Sequence, residues 1–349
     1  MASTCTCVEG SGRELATFDG PLQNILQRTY LVGADCVGQF ATYVGECSVS
    51  DTYALVEGAR SGVPRELVHR ARPQDVVPTG WERRAENRFL VSGRWPEDHG
   101  FFAPADGLHD ALLLVESMRQ STILIGHGAY GVPLGHHFLM GALDFTCAPS
   151  HLRATGSHEV EIEVSLSGTT WRAGHLSSMD SRVTVRREGG TAGVGVSSIR
   201  IMNPRTYARV RGGRTDAAGM LPPEPGVPPH TVGRTRPEDV LLAPASRSDQ
   251  WQLRVDTGHT TLYQGAKDHI PGMVLIEAAR QAAYTLMGPA AFHPAAATNS
   301  FGRYAEFGEP IWIEAHPGQR RNTVVVTGRQ EGEEVFRSSV TAPEGGADR

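Results

Sequence analysis

The chain has 349 residues, enough for two domains with a core each, and its 40 % hydrophobic content with 40 Gly and 22 Pro fits a turn-rich globular protein. A formal charge of −5 argues against nucleic acid as the main partner, because such domains carry a basic excess. No stretch reaches about 18 apolar residues and no basic segment leads into an apolar run at the N-terminus, which predicts a cytoplasmic protein with no membrane partner. Five cysteines without zinc-ligand spacing predict reduced thiols, no metal and no cofactor.

Residues 1–62 match nothing downstream and read as an N-terminal extension. VHRARPQDV (68–76) then returns as VGRTRPEDV (232–240), with Val, Arg, Arg, Pro, Asp and Val in register. RFLVSGRW (88–95) reads as a strand, followed by an apolar helix over HDALLLVESMRQS (109–121) with Asp110 as its N-cap. Strands follow at HFLMGALDF (137–145), HEVEIEV (158–164), SRVTVRRE (181–188) and GVGVSSIRIM (193–202). In HEVEIEV the alternation turns Val160, Ile162 and Val164 inward and Glu159, Glu161 and Glu163 to solvent. GGTAGVGVSS (189–198) leads into a strand, so it reads as a hairpin and not as a phosphate loop.

The Pro-, Gly- and Arg-rich segment 204–230 has linker composition. Beyond it, WQLRVDT (251–257) precedes a second apolar helix, DHIPGMVLIEAARQAA (268–283). Pro271 suits that helix's first turn, and Asp268 suits the positive end of its dipole. IWIEA (311–315), NTVVVTG (322–328) and EVFRSSVT (334–341) complete the set, and residues 344–349 read as a tail. The expectation is a duplicated α+β fold, with halves at 63–203 and 231–343. Each half is one long apolar helix wrapped by a mainly antiparallel sheet.

Both helices carry the same polar triplet, Glu116, Arg119, Gln120 and Glu277, Arg280, Gln281. Helical periodicity puts each triplet on a stripe about 100° wide. One reading is a solvated Glu–Arg pair, stabilising the helix by about 0.2–0.5 kcal/mol. The otherwise apolar helix favours a second reading, in which the triplet faces a substrate cleft, because a carboxylate buried alone costs several kcal/mol. His109 and His269 precede the two helices and are candidates for a base or a carbonyl-holding group beside the cleft.

H-x-P-G followed by an apolar helix bearing Glu resembles the hotdog-fold acyl-thioester enzymes, such as the 3-hydroxyacyl-carrier-protein dehydratases. DHIPGMVLIEAARQAA, together with HDALLLVESMRQS and GVPLGHHFLM, more closely resembles the A-factor biosynthesis hotdog family, the AfsA-like γ-butyrolactone and butenolide synthases of actinobacteria. The likeness runs from about residue 64 to 341 and includes both RPxDV segments. It implies a tandem hotdog that transfers a β-ketoacyl group from acyl carrier protein to dihydroxyacetone phosphate, toward lactones that regulate antibiotic production. It places functional carboxylates at Glu116 and Glu277, with Arg280 beside the latter.

In the implied chemistry Glu116 or Glu277 takes a hydroxyl proton, on condition that apolar surroundings raise its pKa. Arg280 holds a phosphate or an oxyanion. Arg119, Gln120, Gln281, His269 and His109 bind or orient substrate. Arg72, Arg234 and Arg236 are candidates to dock an acidic carrier protein. The first repeat departs from the pattern, with Ala111 in place of the Pro and no H-x-P-G. Whether the chain is a monomeric pseudo-dimer or a homodimer stays open, as do a hotdog dehydratase or thioesterase and a non-catalytic lactone- or acyl-binding regulator.

Overall fold

A computed structural model describes residues 62–212, 222, 225–264, 268–288 and 293–343. The extension over 1–61, Lys267 and the tail from 344 lie outside the described residues.

The strands are β1 (Pro78–Ala85), β2 (Arg88–Arg94), β3 (His137–Cys147), β4 (Glu159–Arg172), β5 (His175–Arg187) and β6 (Gly190–Met202), then β7 (Leu242–Pro244), β8 (Gln250–Leu253), β9 (Ala296–Phe301), β10 (Ile311–Pro317), β11 (Thr323–Gln330) and β12 (Glu333–Thr341). The helices are α1 (Ala111–Gly128), α2 (Pro204–Arg211) and α3 (Gly272–Met287). The strand order is β1-β2-β4-β5-β6-β3-β9-β12-β11-β10-β8-β7, and every pairing is antiparallel. The order is palindromic, since β1, β2, β4, β5, β6 and β3 of one half answer β7, β8, β10, β11, β12 and β9 of the other. β3 and β9 meet at the centre, with Ala142 opposite Ser300 and Phe145 opposite Ala297. Duplication of the sequence therefore appears as two half-sheets fused edge to edge, which also leaves no open edge at the junction.

Each half-sheet is filled by one helix. In α1 Leu113, Leu114, Val115, Leu124 and Ile125 are buried, and only Arg119 and the terminal Gly128 reach partial exposure. In α3 the buried face is Val274, Leu275, Ile276, Ala278, Ala279, Ala282 and Ala283. Full burial of a Leu, Ile or Val side chain contributes roughly 1.5–3 kcal/mol, so these two stripes anchor the halves. In β4 the alternation holds, with Val160, Ile162 and Val164 buried and Glu159, Glu161 and Glu163 exposed. The tight turn from β5 to β6 passes through Glu188 (φ 50°) and Gly189 (φ 76°), so the Gly-rich run is a hairpin.

Four elements were not foreseen from sequence, one of them the three-residue β7. β9, AATNSF, lacks the β-branched run of a clear strand. β1 is masked by three charged residues, Glu82, Arg83 and Arg84, on its outer end. α2 forms inside the segment of linker composition, capped by Asn203, whose side chain accepts from Thr206 N at 2.8 Å. At α3 Pro271 is the N-cap itself and not a first-turn residue.

Close packing of α1 on the sheet requires glycine in β6. A Cβ on Gly193 would meet a methyl of Leu114 and the Thr146 carbonyl oxygen, the latter at 2.5 Å. Gly193→Ala is expected to lower the unfolding free energy by about 1–3 kcal/mol. Chemical denaturation measures it, and an unchanged midpoint would show that the helix has room to move.

Candidate functional site

The repeated RPxDV segments place a short 3-10 turn against each helix. Gln120 Nε2 donates to Asp75 O at 2.6 Å and its Oε1 accepts from Val77 N at 2.9 Å. Gln281 repeats this with Asp239 O at 2.8 Å and Leu241 N at 2.9 Å. The two glutamines therefore clamp the approach segments, a correction to the expectation that they orient substrate. Their amides are fully buried and engaged with backbone.

Glu116 lies at the centre of the first half. It accepts from Arg70 Nε at 2.7 Å, from Arg119 Nε and Nη2 at 3.0 Å each, and from Gln120 Nε2 at 2.6 Å. Glu277 has the matching set, from Arg234 Nε at 2.8 Å, Arg280 Nε and Nη2 at 2.8 Å each, and Gln281 Nε2 at 2.7 Å. Both carboxylates are inaccessible to solvent. Burial by itself raises a carboxyl pKa. Here the two guanidiniums around each group outweigh it and hold Glu116 and Glu277 down to about 2. The expectation of bases with raised pKa values is corrected: apolar surroundings are present, but paired arginines within them reverse the sign.

Arg70, given no role from sequence, and Arg234, expected only to dock a carrier, complete the two hubs. Arg70 Nη1 donates to Thr261 O at 3.1 Å, in the other repeat, and Arg234 Nη1 donates to Phe101 O at 3.0 Å, again across the repeats. Arg234 also holds the N-cap Asp110 at 2.9 Å. Thr261 and Phe101 sit in equivalent loops, fixed by His259 and His99. Each imidazole accepts two backbone N–H groups at Nδ1, at 3.1 Å and 3.1 Å for His99 and 3.3 Å and 3.1 Å for His259. That leaves the proton on Nε2, facing Asp75 at 2.7 Å and Asp239 at 3.1 Å. The signal in the sequence was the first Arg of R-x-R-P, held in register in both copies.

Arg234 is buried, so it is withdrawn as a carrier-docking residue. Arg72 is committed to Asp75 and to Thr261 Oγ1, at 2.8 Å and 2.9 Å. Arg236 remains about half exposed.

Two side chains of the triplets reach partial exposure, Arg119 at 18 % and Arg280 at 13 %. Arg280 lines a cavity of about 20 Å³ with Ala111 and Leu112 of the first turn of α1, Phe145, Ile276, Ala297 and Asn299. The small cavity thus lies where the two repeats meet, apolar except for Arg280, Asn299 and Ser338.

The two histidines differ. His109 is buried against Trp95 and His158, and neither of its nitrogens has a hydrogen-bond partner. Desolvation, with Arg187 and His158 nearby, lowers its pKa to about 4, so it is a neutral core imidazole. Its expected contact with substrate is corrected on that ground. His269 is a quarter exposed and bonded to Asp268, Nδ1 to Oδ1 at 2.7 Å.

Two helix-filled half-sheets on a pseudo-dyad, with a polar-tipped cavity at their seam, define a double-hotdog architecture. The model of the A-factor biosynthesis hotdog domain matches residues 53–203 and 215–342, and the chain belongs to that family. A relative from Streptomyces coelicolor is 44 % identical over 302 residues, covering 85 % of this chain and 96 % of the relative. One from Streptomyces griseus is 45 % identical over 284 residues, covering 80 % and 94 %, and one from Streptomyces virginiae is 39 % identical over 283 residues, covering 79 % and 96 %. All three are named 2-oxo-3-(phosphooxy)propyl 3-oxoalkanoate synthase.

Removing Glu116 deprives Arg70 and Arg119 of their shared carboxylate, and removing Glu277 deprives Arg280 of its partner and leaves Arg234 with Asp110 alone. Glu116→Gln and Glu277→Gln are each expected to cost about 3–5 kcal/mol in unfolding free energy, and a loss below about 1 kcal/mol would contradict the hub. The pH dependence has a fixed sign. Folded-state pKa values near 2 lie below the ordinary 4.5, so the stabilisation is complete above about pH 4.5 and is lost as pH falls toward 2. Thermal melts between pH 6 and pH 2 measure it.

Proposed function

We propose that the protein is an acyltransferase that joins a 3-oxoacyl group to the hydroxyl of dihydroxyacetone phosphate, giving 2-oxo-3-(phosphooxy)propyl 3-oxoalkanoate. The observation that carries this is the near full-length similarity to relatives named for that product, at 44 % identity over 96 % of one relative. The cavity supports it. Arg280, partly exposed, lines it and brings a cationic group to the seam between the repeats. The product is a precursor in γ-butyrolactone and butenolide chemistry, in keeping with the family.

The donor is taken to be a thioester on acyl carrier protein. An acidic carrier docks on exposed arginines, which makes association salt-sensitive. Arg205 and Arg209 on α2 are exposed, and Arg236 is half exposed.

Roles follow from the geometry. Arg280 is the residue that holds the phosphate or the thioester oxyanion. Glu277 fixes its guanidinium by two bonds, so its part is positioning, and Glu116 does the same for Arg119. His269 stands at the approach to α3, a quarter exposed.

Incubation with a 3-oxoacyl thioester and dihydroxyacetone phosphate, followed by mass spectrometry, is expected to give a new phosphorylated ester that requires both substrates. Arg280→Ala is expected to lower its rate about 10²–10³-fold. Free 3-oxoacid with or without the acceptor would instead mark a thioesterase.

A further inference from the structure

Arg119 and Arg280 hold equivalent places in the duplicated fold. Each is fixed by its glutamate, and each reaches one carbonyl of the approach segment, Val68 O at 3.4 Å and Val232 O at 3.1 Å. What packs around them can be compared residue by residue. In the register of the paired glutamates Ala111 corresponds to Gly272, Leu112 to Met273 and Met118 to Ala279. In the strands Val77 and Leu241 correspond, because each gives its N–H to the glutamine of a triplet. From there the ladders run through Gly93 to Gly193 and Cys147 in one half. In the other they run through Leu253 to Phe336 and Phe301. Two residues along each strand, Gly195 therefore answers Ser338 and Phe145 answers Asn299, and Leu143 in turn answers Ala297.

On the Arg280 side these places hold small side chains and a void. Ala111 and Ala297 line the cavity of about 20 Å³, and Ser338 Oγ donates to Asn299 Oδ1 at 2.9 Å on its wall. The pseudo-dyad that carries Arg280 onto Arg119 carries the same places onto Gly272, Leu143 and Gly195, and there they are filled. Met118 lies over Gly195, so that a Cβ there would fall 2.5 Å from its sulfur. The matching helix position beside Arg280 is only Ala279. Leu143, buried, stands where the cavity has Ala297. The first turn of α3 is closed by Met140 and Phe301, which would meet a Cβ on Gly272 at 2.8 Å and 3.1 Å. Methionine fills irregular gaps of this kind well, because its chain is unbranched and flexible.

We propose that the chain works through one of its two pseudo-equivalent seam sites, the one at Arg280, with Ala297 as the residue that keeps it open. The site at Arg119 has been closed by Met118, Leu143 and Phe301. The inference rests on the acyltransferase reading and adds which site carries it and which residues decide that. A void costs stability, because the atoms lining it lack contact partners on one side. The Arg119 side shows that this backbone can be packed with larger side chains in the same places. Small residues kept beside Arg280 therefore mark the side that is used. A void of about 20 Å³ has room for one water-sized group. A larger ligand is admitted by side chains parting along the seam, which Ala297 permits and a leucine in its place would oppose.

The test exchanges residues between the two sides in the full chain. Ala297→Leu copies the other half's residue into the Arg280 side, and Leu143→Ala makes the reverse change on the Arg119 side. Rates of phosphorylated ester formation are measured at a temperature where near-UV circular dichroism shows each variant folded. Ala297→Leu is expected to lower kcat/KM at least about 100-fold, whereas Leu143→Ala keeps it within about threefold of wild type. The two substitutions disturb dyad-related positions, so a general packing defect would reduce both rates alike. Ala297→Val and Leu143→Val are the milder pair if either variant fails to fold, with the same order expected. Equal losses in the two variants, or an Ala297→Leu protein that keeps its rate within about threefold, overturn the single-site inference and leave the acyltransferase reading intact. No phosphorylated ester from the wild-type protein overturns the acyltransferase reading and the inference together.

Discussion

Two carboxylates without access to water, each encircled by two guanidiniums and one amide, are the constraint on which the rest depends. A lone buried carboxylate in an apolar helix would cost several kcal/mol or take up a proton. Here Glu116 and Glu277 each accept a complete set of donors, so they remain anions and become fixed points. Everything that approaches the helices is measured from them. The glutamine of each triplet sets the approach segment, and the arginine of that segment continues past the carboxylate to a carbonyl of the opposite repeat. The hydrophobic effect drives each helix into its half-sheet but is non-directional. The crossed arginines give the two halves their orientation.

Symmetry built this way leaves freedom at the periphery. The hubs match atom for atom, yet the residues around them do not. Ala111 and Leu112 open a small cavity toward Arg280 at one end of the β3–β9 seam. At the other end His269 stands with Asp268 under the roof of α2. Duplication can preserve the part that holds two hotdog halves together while the residues around it diverge. His109, packed against Trp95, is core where its counterpart in the other half, Ile270, is core too.

Much of the architecture was legible in sequence because it obeys periodicity. HEVEIEV alternates, and the Gly-rich run turns tightly. The two triplets recur with their RPxDV partners, so duplication and fold class follow. What was not legible depends on partners distant in the chain. The stripe containing Glu277 was visible, but a stripe does not reveal that Arg234, 43 positions away, closes on it. Without that arginine the apolar setting argues for a raised pKa, and with it the direction reverses. Likewise Tyr207 and Arg211 sit in a Pro-, Gly- and Arg-rich run, where composition hides a short helix that only tertiary contacts stabilise.

The central claim is that the paired glutamates are fixed anions and not bases. It is tested most directly by NMR of protein carrying a carbon-13 label at the glutamate side-chain carboxyl, with Glu116 and Glu277 assigned through their glutamine variants. The account predicts that both signals keep the carboxylate shift as pH is lowered from 7 until the protein begins to unfold. A signal from either residue that titrates in the folded protein above its ordinary value of 4.5 would contradict it and restore that glutamate as a base.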